Sequence, residues 1–525
     1  MVVTGEHAEI PTLRLYDMLA NTAQRRPSRT ATVFAGVECT YEQLHGSVRR
    51  AMAALRDLGV QPSDRVGIML PNCPQYVISF YAITGIGAIA VQLNPFCTEA
   101  ELSYLLQDSA CRWVIAFDKA LPVLDEVRST LPVETVVAVR FGPSDRTLPV
   151  GDVWFDDWLA SVRAPGDPAD LNPVETVAVL QYTGGTTGRP KGAMLTHQNL
   201  VANAVQAYSM LPGGVTEDDM TVCALPLFHV YALTMCMNLS IYTGIPMLLV
   251  PRFHAHELVQ LIERYRPTLF PAVPTMYVAL TQVIPPGSDA LSSLRVCNSG
   301  GAPMPVQVME AFESLTGATV LEGYGVSEAS PVTHLNPSAD RRRAGSIGLP
   351  TPNTDVRIVS PKDSSVTLPV GEIGELAVRG PQVMKGYWNR PEETAETLVD
   401  GWLLTGDMAK LDEDGYTYIV DRKKDMIIAS GYNVYPREVE EVLYKHPAVL
   451  EAAVVGAPDD YRGETVKAFV VCKPGYTVTA EDIQAWCRQY LSAYKVPTLV
   501  EFRSDLQKTA IGKILRRALR DEQSG

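Results

Sequence analysis

Paired cysteines are missing from this chain. Nine cysteines are scattered through 525 residues without a single C-x-x-C pair, which argues against a zinc site and predicts free thiols in a reducing cytoplasm. An excess of positive charge is also missing. The net charge of -14 excludes nonspecific binding to DNA or RNA. That deficit is uneven: from Lys424 to Gly525 basic and acidic side chains balance, so this last part would repel a polyanionic substrate less than the rest. The first residues include Glu6, Glu9 and Arg14 and no apolar h-region, so no signal peptide is expected. There is no internal repeat with a period of about 20–50 residues and no low-complexity tract. Two windows, Val66 to Thr98 and Met220 to Pro251, lack Asp, Glu, Lys and Arg altogether. Pro71, Asn72, Pro74, Gly85, Gly87, Asn94 and Pro95 interrupt the first, and Pro226, His229, Asn238, Gly244 and Pro246 the second. Neither is a clean apolar helix of about 20 residues. Both are read as buried helix–strand units, with peripheral membrane contact left open.

What is present is apolar material for several cores: 46% of residues are hydrophobic, and the length suits about three to four domain-sized units. Short apolar runs alternate with helical patterns. Arg65–Leu70, Ala88–Leu93, Thr176–Gln181, Leu269–Val273 and Leu294–Cys297 read as strands, and Gln75–Ile83 as a helix. That alternation predicts an α/β fold with mainly parallel strands, whose ligands sit beyond the carboxyl ends of strands. After about residue 345 the style changes. Asp355–Val359, Gly374–Arg379 and Gly415–Val420 are short strands between Gly, Pro and Asp turns, which predicts a small β subdomain. A boundary is placed at Asp421-Arg422-Lys423-Lys424. Beyond it, Pro436 opens a helix with Val439, Val442 and Leu443 as its stripe. Strands follow at Leu450–Val455 and Val466–Cys472, and a last helix is expected from about Gly512, with Lys513 at its entrance.

The most informative stretch is Tyr182-Thr183-Gly184-Gly185-Thr186-Thr187-Gly188-Arg189-Pro190-Lys191-Gly192. Glycines let backbone N–H groups approach an anion, and hydroxyls and an ammonium add further donors. A polar turn is the plainer reading; the density of donors favours a polyphosphate. Pro190 stands where a Walker loop needs its second glycine, so a P-loop is excluded.

This loop resembles the signature loop of the adenylate-forming enzymes, which include acyl-CoA synthetases, nonribosomal adenylation domains and luciferases. Further motifs in family order extend the resemblance from about Thr12 to Leu519. They are Leu225-Pro226-Leu227-Phe228-His229, Gly323-Tyr324-Gly325-Val326-Ser327-Glu328, Gly374-Glu375-Leu376, Thr405-Gly406-Asp407, Asp421-Arg422-Lys423-Lys424-Asp425 and Gly512-Lys513. Gly380-Pro381-Gln382-Val383-Met384-Lys385-Gly386-Tyr387-Trp388 and Tyr494-Lys495-Val496-Pro497 make bacterial medium- and long-chain fatty acyl-CoA synthetases the nearest group. The resemblance implies a multi-part N-terminal domain over 1–421, a hinge at 422–424 centred on Lys424, and a mobile α+β C-terminal domain over 425–525.

It also implies substrates and roles. ATP and coenzyme A are the co-substrates and Mg2+ the metal, with AMP and pyrophosphate released. Thr183, Gly184, Gly185, Thr186, Thr187, Gly188 and Lys191 hold phosphates, with Gly301, Ala302, Glu322, Gly323, Tyr324, Gly325, Ser327, Asp407 and Arg422 completing the nucleotide site. Tyr324 matches a ring packed on adenine, Asp407 an acceptor for both ribose hydroxyls, Arg422 a second ribose or phosphate contact, and Glu328 the metal ligand. Lys513 matches the lysine that places positive charge between two reacting anions. Thr183 and His229 join Lys513 and Glu328 as catalytic candidates; His229 shapes the acyl entrance or assists thioester formation without being a general base. The acyl and CoA side comprises His229, Val230, Leu233, Thr234, Met237, Gly300, Gly323, Ser430, Gly431 and Tyr432. Two departures are noted: Ser327 where threonine is commoner, and Gln507 where many relatives have proline.

An amino-acid substrate would need a carboxylate for its ammonium. The windows Phe228–Ser240, Val273–Tyr277 and Gly300–Ala302 contain none, and His229 stands where adenylation domains carry aspartate. The stripe Val230, Leu233, Thr234, Met237 and Ile241 is either core or the wall of an alkyl or aryl tunnel. A fatty acid–CoA ligase is the first reading. A fatty acyl-AMP ligase serving a carrier protein, a coumarate-type aryl-CoA ligase and a non-enzymatic lipid-binding scaffold are the alternatives. A homodimer is compatible with the resemblance.

Overall fold

The computed structural model describes residues 1–143, 145–183, 189–285, 287–423, 425–429, 432–459, 463–510 and 512–522, apart from the side chains of Tyr432 and Asp521. Gly184, Gly185, Thr186, Thr187, Gly188, Lys424, Ser430, Gly431 and the Tyr432 side chain, all given roles above, lie outside the described residues.

Among the described residues the strands form four sheets. The first charge-free window becomes strand Arg65–Met69, helix Pro74–Gly85 and strand Ile89–Gln92. The helix opens with Pro at its first position and is buried on all sides, which explains its lack of an amphipathic stripe. These strands enter a seven-stranded sheet with parallel neighbours, at whose edge Val177–Thr183 meets Lys191–Thr196 antiparallel. Thr183 lies opposite Lys191 in that register, so both stand at the mouth of the Gly/Thr loop.

The second window becomes strand Thr221–Cys223, helical chain from Val230 to Thr243 and strand Met247–Leu249. The helix has a π-helical middle, Leu233–Asn238, a widened turn often found near functional sites. Among the described residues no helix is long and apolar enough to cross a membrane. The second, nine-stranded sheet carries Leu269–Ala272, Val296–Ser299 and Thr319–Gly325 side by side and parallel. Their carboxyl ends gather Val273, Gly300 and Tyr324 on one edge, the expected place for a ligand. Here the structure corrects a boundary: the strand expected from Leu294 begins at Val296, because Leu294 closes a turn onto Leu291.

The small β subdomain is an antiparallel sheet containing Asp355–Val359, Gly374–Arg379 and Trp402–Leu411, with Thr417–Arg422 paired to the last. The strand expected at Gly415 starts at Thr417, since Gly415 takes a left-handed turn conformation at φ 84°.

From Ile427 onward the chain builds cores of its own. One includes Ile427, Val439, Leu443, Val454 and Ile483, and another Val455, Phe469, Leu506 and Leu519. Helix Pro436–Tyr444 packs on strand Val449–Asp459. The last helix is Arg516–Asp521, not one starting near Gly512. Gly512 sits at φ 79°, a left-handed conformation that ends a turn rather than opening a helix. The flanking backbone bonds like a hairpin, Thr509 N–H to Lys513 O at 2.7 Å and Leu515 N–H to Gln507 O at 2.8 Å. Lys513 is therefore presented by a tight turn, and Ile514 and Leu515 precede the helix.

Candidate active site

Asp407 is the centre of the site. Gly406 turns the chain at φ 73°, and the antiparallel register then sets Asp407 opposite Arg422, with Nε–Oδ1 at 3.5 Å. The Tyr324 hydroxyl donates to Asp407 Oδ2. Burial pushes the Asp407 carboxyl up, opposed by Arg422, the Tyr324 hydroxyl and Lys513. The same neighbourhood acts on Lys513 in reverse. Burial pushes its ammonium down to about 7, Arg422 adds to the fall and Asp407 opposes it. Two cations beside one carboxylate suit a ligand that is anionic at one end and rich in hydroxyls at the other.

The turn carrying Lys513 is seated on the carboxyl edge of the large sheet. Thr275 Oγ1 donates to Gly512 O at 3.1 Å. A Cβ on Gly512 would stand 2.5 Å from Thr275 Oγ1, so only glycine permits this approach. His229 caps the helix at Val230, its Nδ1 accepting from Tyr231 N–H at 3.2 Å. Burial lowers its pKa to about 4, with Lys513 as the second cause, so the ring is neutral near pH 7 and adjoins the lysine.

A second cluster faces the mouth of the Gly/Thr loop. Glu328 lies in the short turn Ser327–Ala329. Its Oε1 accepts the Tyr387 hydroxyl at 2.7 Å, and the Lys191 ammonium lies 5.1 Å from the centroid of the same tyrosine ring. A single carboxylate near the Lys191 ammonium could serve magnesium, which is usually held by one or two carboxylates plus substrate phosphates. Tyr182 anchors the loop's incoming strand, its hydroxyl donating to Asp108 Oδ2 at 2.8 Å. Arg390 holds the other oxygen of Asp108 at 2.8 Å.

The remaining candidates are less uniform. Gly323 and Gly325 lie where a Cβ would meet Leu335 at 2.6 Å and Pro331 O at 2.1 Å, so their need for glycine comes from strand packing. Gly300 lies against the Tyr231 ring, with Gly301 next to it at φ 77° and Ala302 following. Glu322 is buried and receives the Met304 N–H at 3.1 Å; burial raises its pKa to about 7 and Arg437 opposes that. Val230, Leu233, Thr234 and Met237 are all fully buried. Thr234 donates to Ser330 O at 2.5 Å, tying the π segment to the turn that bears Glu328. The Tyr324 ring sits edge-on to His334, with centroids 6.0 Å apart. Lys423, beside the expected hinge, is bound to Glu375 at 2.9 Å, and Glu375 also accepts Gly406 N–H at 3.1 Å.

Several site-building residues went unassigned in the sequence: Tyr387, Thr275, Glu375, Arg437 and Asn72. Tyr387 and Glu375 lay inside quoted motifs. Asn72 carried no signal, although it holds the Leu225–His229 segment. Its Nδ2 donates to Cys223 O and Leu225 O at 2.7 and 2.8 Å, and its Oδ1 accepts Leu227 N–H at 2.8 Å.

Comparison with known proteins places this geometry in context. The AMP-binding enzyme family model matches residues 19–388, and the AMP-binding enzyme C-terminal domain model matches residues 438–513. A long-chain-fatty-acid--CoA ligase of Bacillus subtilis is 44% identical, covering 98% of this chain and 95% of that protein. A feruloyl-CoA synthase of an Amycolatopsis species is 40% identical over 95% of this chain and 96% of that protein. Among solved structures, an anthranilate CoA ligase in complex with anthranoyl-AMP superposes with a TM-score of 0.90 at 31% identity, covering 98% of each chain.

Proposed function

The chain belongs to the AMP-binding enzyme family, and on that premise we propose that it activates a fatty acid with ATP and passes the acyl group to coenzyme A. The observation that carries this reading is the convergence of Lys513, Asp407 and Arg422 from three separate segments, within a chain 44% identical to a long-chain-fatty-acid--CoA ligase.

The chemistry follows from what a carboxylate lacks. It is a poor electrophile with no usable leaving group, so it must first attack the α-phosphorus of ATP, displacing pyrophosphate. Two anions meet in that step, and fixed positive charge between them lowers its barrier. Lys513 supplies that charge in this proposal; a polyphosphate beside it would restore the proton that burial disfavours. Asp407 accepts the ribose hydroxyls, displacing or sharing with Tyr324, and Arg422 stands beside it. Thr183 and Lys191 frame the phosphate loop together with Gly184–Gly188. Glu328, oriented by Tyr387, would hold magnesium, which neutralises the departing pyrophosphate. His229, neutral and next to Lys513, borders the acyl carboxylate. The CoA thiol then attacks the acyl-adenylate carbonyl and AMP leaves. For that second step, residues 425–525 turn about 422–424, removing Lys513 and bringing up Ser430, Gly431 and Tyr432. Nine free cysteines suit a reducing cytoplasm as the place of action.

An aryl acid is the second reading, favoured by the feruloyl-CoA synthase and anthranilate CoA ligase similarities. CoA-dependent AMP formation across acetate, octanoate, palmitate and coumarate, with pyrophosphate followed in parallel, tests both. A maximum with octanoate or palmitate supports the first reading and a maximum with coumarate the second. Pyrophosphate release without CoA-driven turnover would point to a carrier-protein loader instead.

A further inference from the structure

Arg437 is the second residue of helix Pro436–Tyr444 and interacts with Glu441 one turn along it, yet its hydrogen-bond and ion-pair partners lie earlier in the chain, before Lys424. Its Nη2 lies 3.6 Å from Glu322 Oε1, its Nη1 donates to Ile419 O at 2.9 Å, and its own N–H donates to Asp421 Oδ2 at 2.8 Å. The Arg437 and Glu322 side chains are 8% and 6% exposed. Arg516, close behind Lys513 in sequence, repeats the pattern: it binds Glu440 through Nε at 3.0 Å and reaches back to Asp421 at 3.2 Å.

We propose that Arg437 is a positioning residue whose pairing with Glu322 holds the chain beyond Asp425 in the orientation that seats Lys513 beside Asp407. This rests on the ligase reading above. A buried ion pair adds little net stability, but removing one partner leaves an uncompensated buried charge. Arg437 and Glu322 lie on opposite sides of the 422–424 crossing, so a rotation that withdraws Lys513 also parts this pair. The guanidinium cannot discharge itself and would keep Glu441 of its own helix as counter-charge, while Glu322 would keep one amide donor, Met304 N–H. Such a contact exists in one orientation only, and a difference of that kind sets the balance between two orientations. Glu322 thereby belongs to the orientation of the two parts as well as to the nucleotide site.

The test uses the full chain and separates the half-reactions. Acid-dependent ATP–pyrophosphate exchange without CoA reports on adenylation, and CoA thioester formation from supplied acyl-adenylate reports on transfer. Arg437→Met, which keeps the stem but loses the charge, is expected to slow exchange by about tenfold while transfer stays within about twofold. Arg437→Lys is expected to recover most of the exchange rate, and it carries the same split at smaller size if the methionine variant melts below the assay temperature. Equal losses in both halves, or no change in either, overturn the proposal. Exchange in the unsubstituted chain is measured alongside. Its absence with every acid overturns the ligase reading and this inference with it, whereas normal exchange with unsplit variants overturns this inference alone.

Discussion

Thr275 Oγ1 donates to the carbonyl of Gly512 at 3.1 Å, so the turn presenting Lys513 is fastened to the edge of a sheet more than two hundred residues earlier. Gly512→Ala forces a left-handed alanine and a Cβ 2.5 Å from Thr275 Oγ1. Adenylation is expected to fall by about tenfold or more, through misplacement of the lysine, with transfer from supplied acyl-adenylate much less affected. Pyrophosphate exchange and single-turnover transfer measure the two; equal loss in both would refute the assigned geometry.

Lys513 should gain a proton when ATP binds. Burial brings its pKa to about 7, so at pH 8 it is mostly neutral, and neighbouring phosphates raise it. Calorimetric titration of ATP at pH 8 in two buffers of different ionisation enthalpy should show proton uptake. Lys513→Ala should abolish that uptake and remove adenylation, while leaving much of the thioester step.

Glu328→Ala should raise the magnesium requirement or abolish turnover. Tyr387→Phe, which removes the hydroxyl that orients Glu328, should shift the same titration by a smaller factor. An unchanged magnesium titration in Glu328→Ala would refute metal binding there.

Acid should destabilise the fold from pH 6.5 downward. Burial lowers the pKa of His197 to about 4, of His229 to about 4 and of His334 to about 3. Below 6.5 the unfolded chain binds protons that these folded residues refuse, so stability rises with pH across the window from about 4 to 6.5. The raised carboxyls work the opposite way, Glu322 between 4.5 and about 7 and Asp407, Glu440 and Glu441 in the same direction, while His45 and His446, also lowered by burial, add to the histidine side. Urea midpoints at pH 5 and pH 7 should differ in that sense, and by less in His334→Gln.

Asn72→Ala removes hydrogen bonds from Cys223 O, Leu225 O and Leu227 N–H, all inside the protein. A loss of about 2–4 kcal/mol is expected for buried groups left unpaired. KM for the acid should rise more than KM for ATP, because the loosened segment carries His229. Denaturant titration and steady-state kinetics check the two parts.

Much of this was legible in the sequence for physical reasons. Strands such as Asp355–Val359 and Gly374–Arg379 match their expected bounds because Gly and Pro turns punctuate them. The parallel α/β architecture follows from buried runs such as Arg65–Met69. What escaped was long-range. Nothing local in Tyr324 announces that its hydroxyl meets Asp407, and Arg437 reads as an ordinary helix-start cation. The misplaced last helix arose because Ile514, Leu515, Ala518 and Leu519 carry a helical period that the left-handed Gly512 and the hairpin bonds around it override.

The π-helical stretch Leu233–Asn238 makes the helix through Val230 and Ile241 a splice of two faces. A π turn holds an extra residue, so everything past Asn238 is rolled by about 100° relative to an unbroken α-helix. The His229 end is pinned through Asn72, and the Thr234 hydroxyl is pinned to Ser330 O. Loss of any one residue from the stretch would therefore unroll the far half while the near half kept its aim. A single-codon deletion there would re-aim the buried Leu239, Ser240 and Ile241 within the core while His229 kept its place next to Lys513.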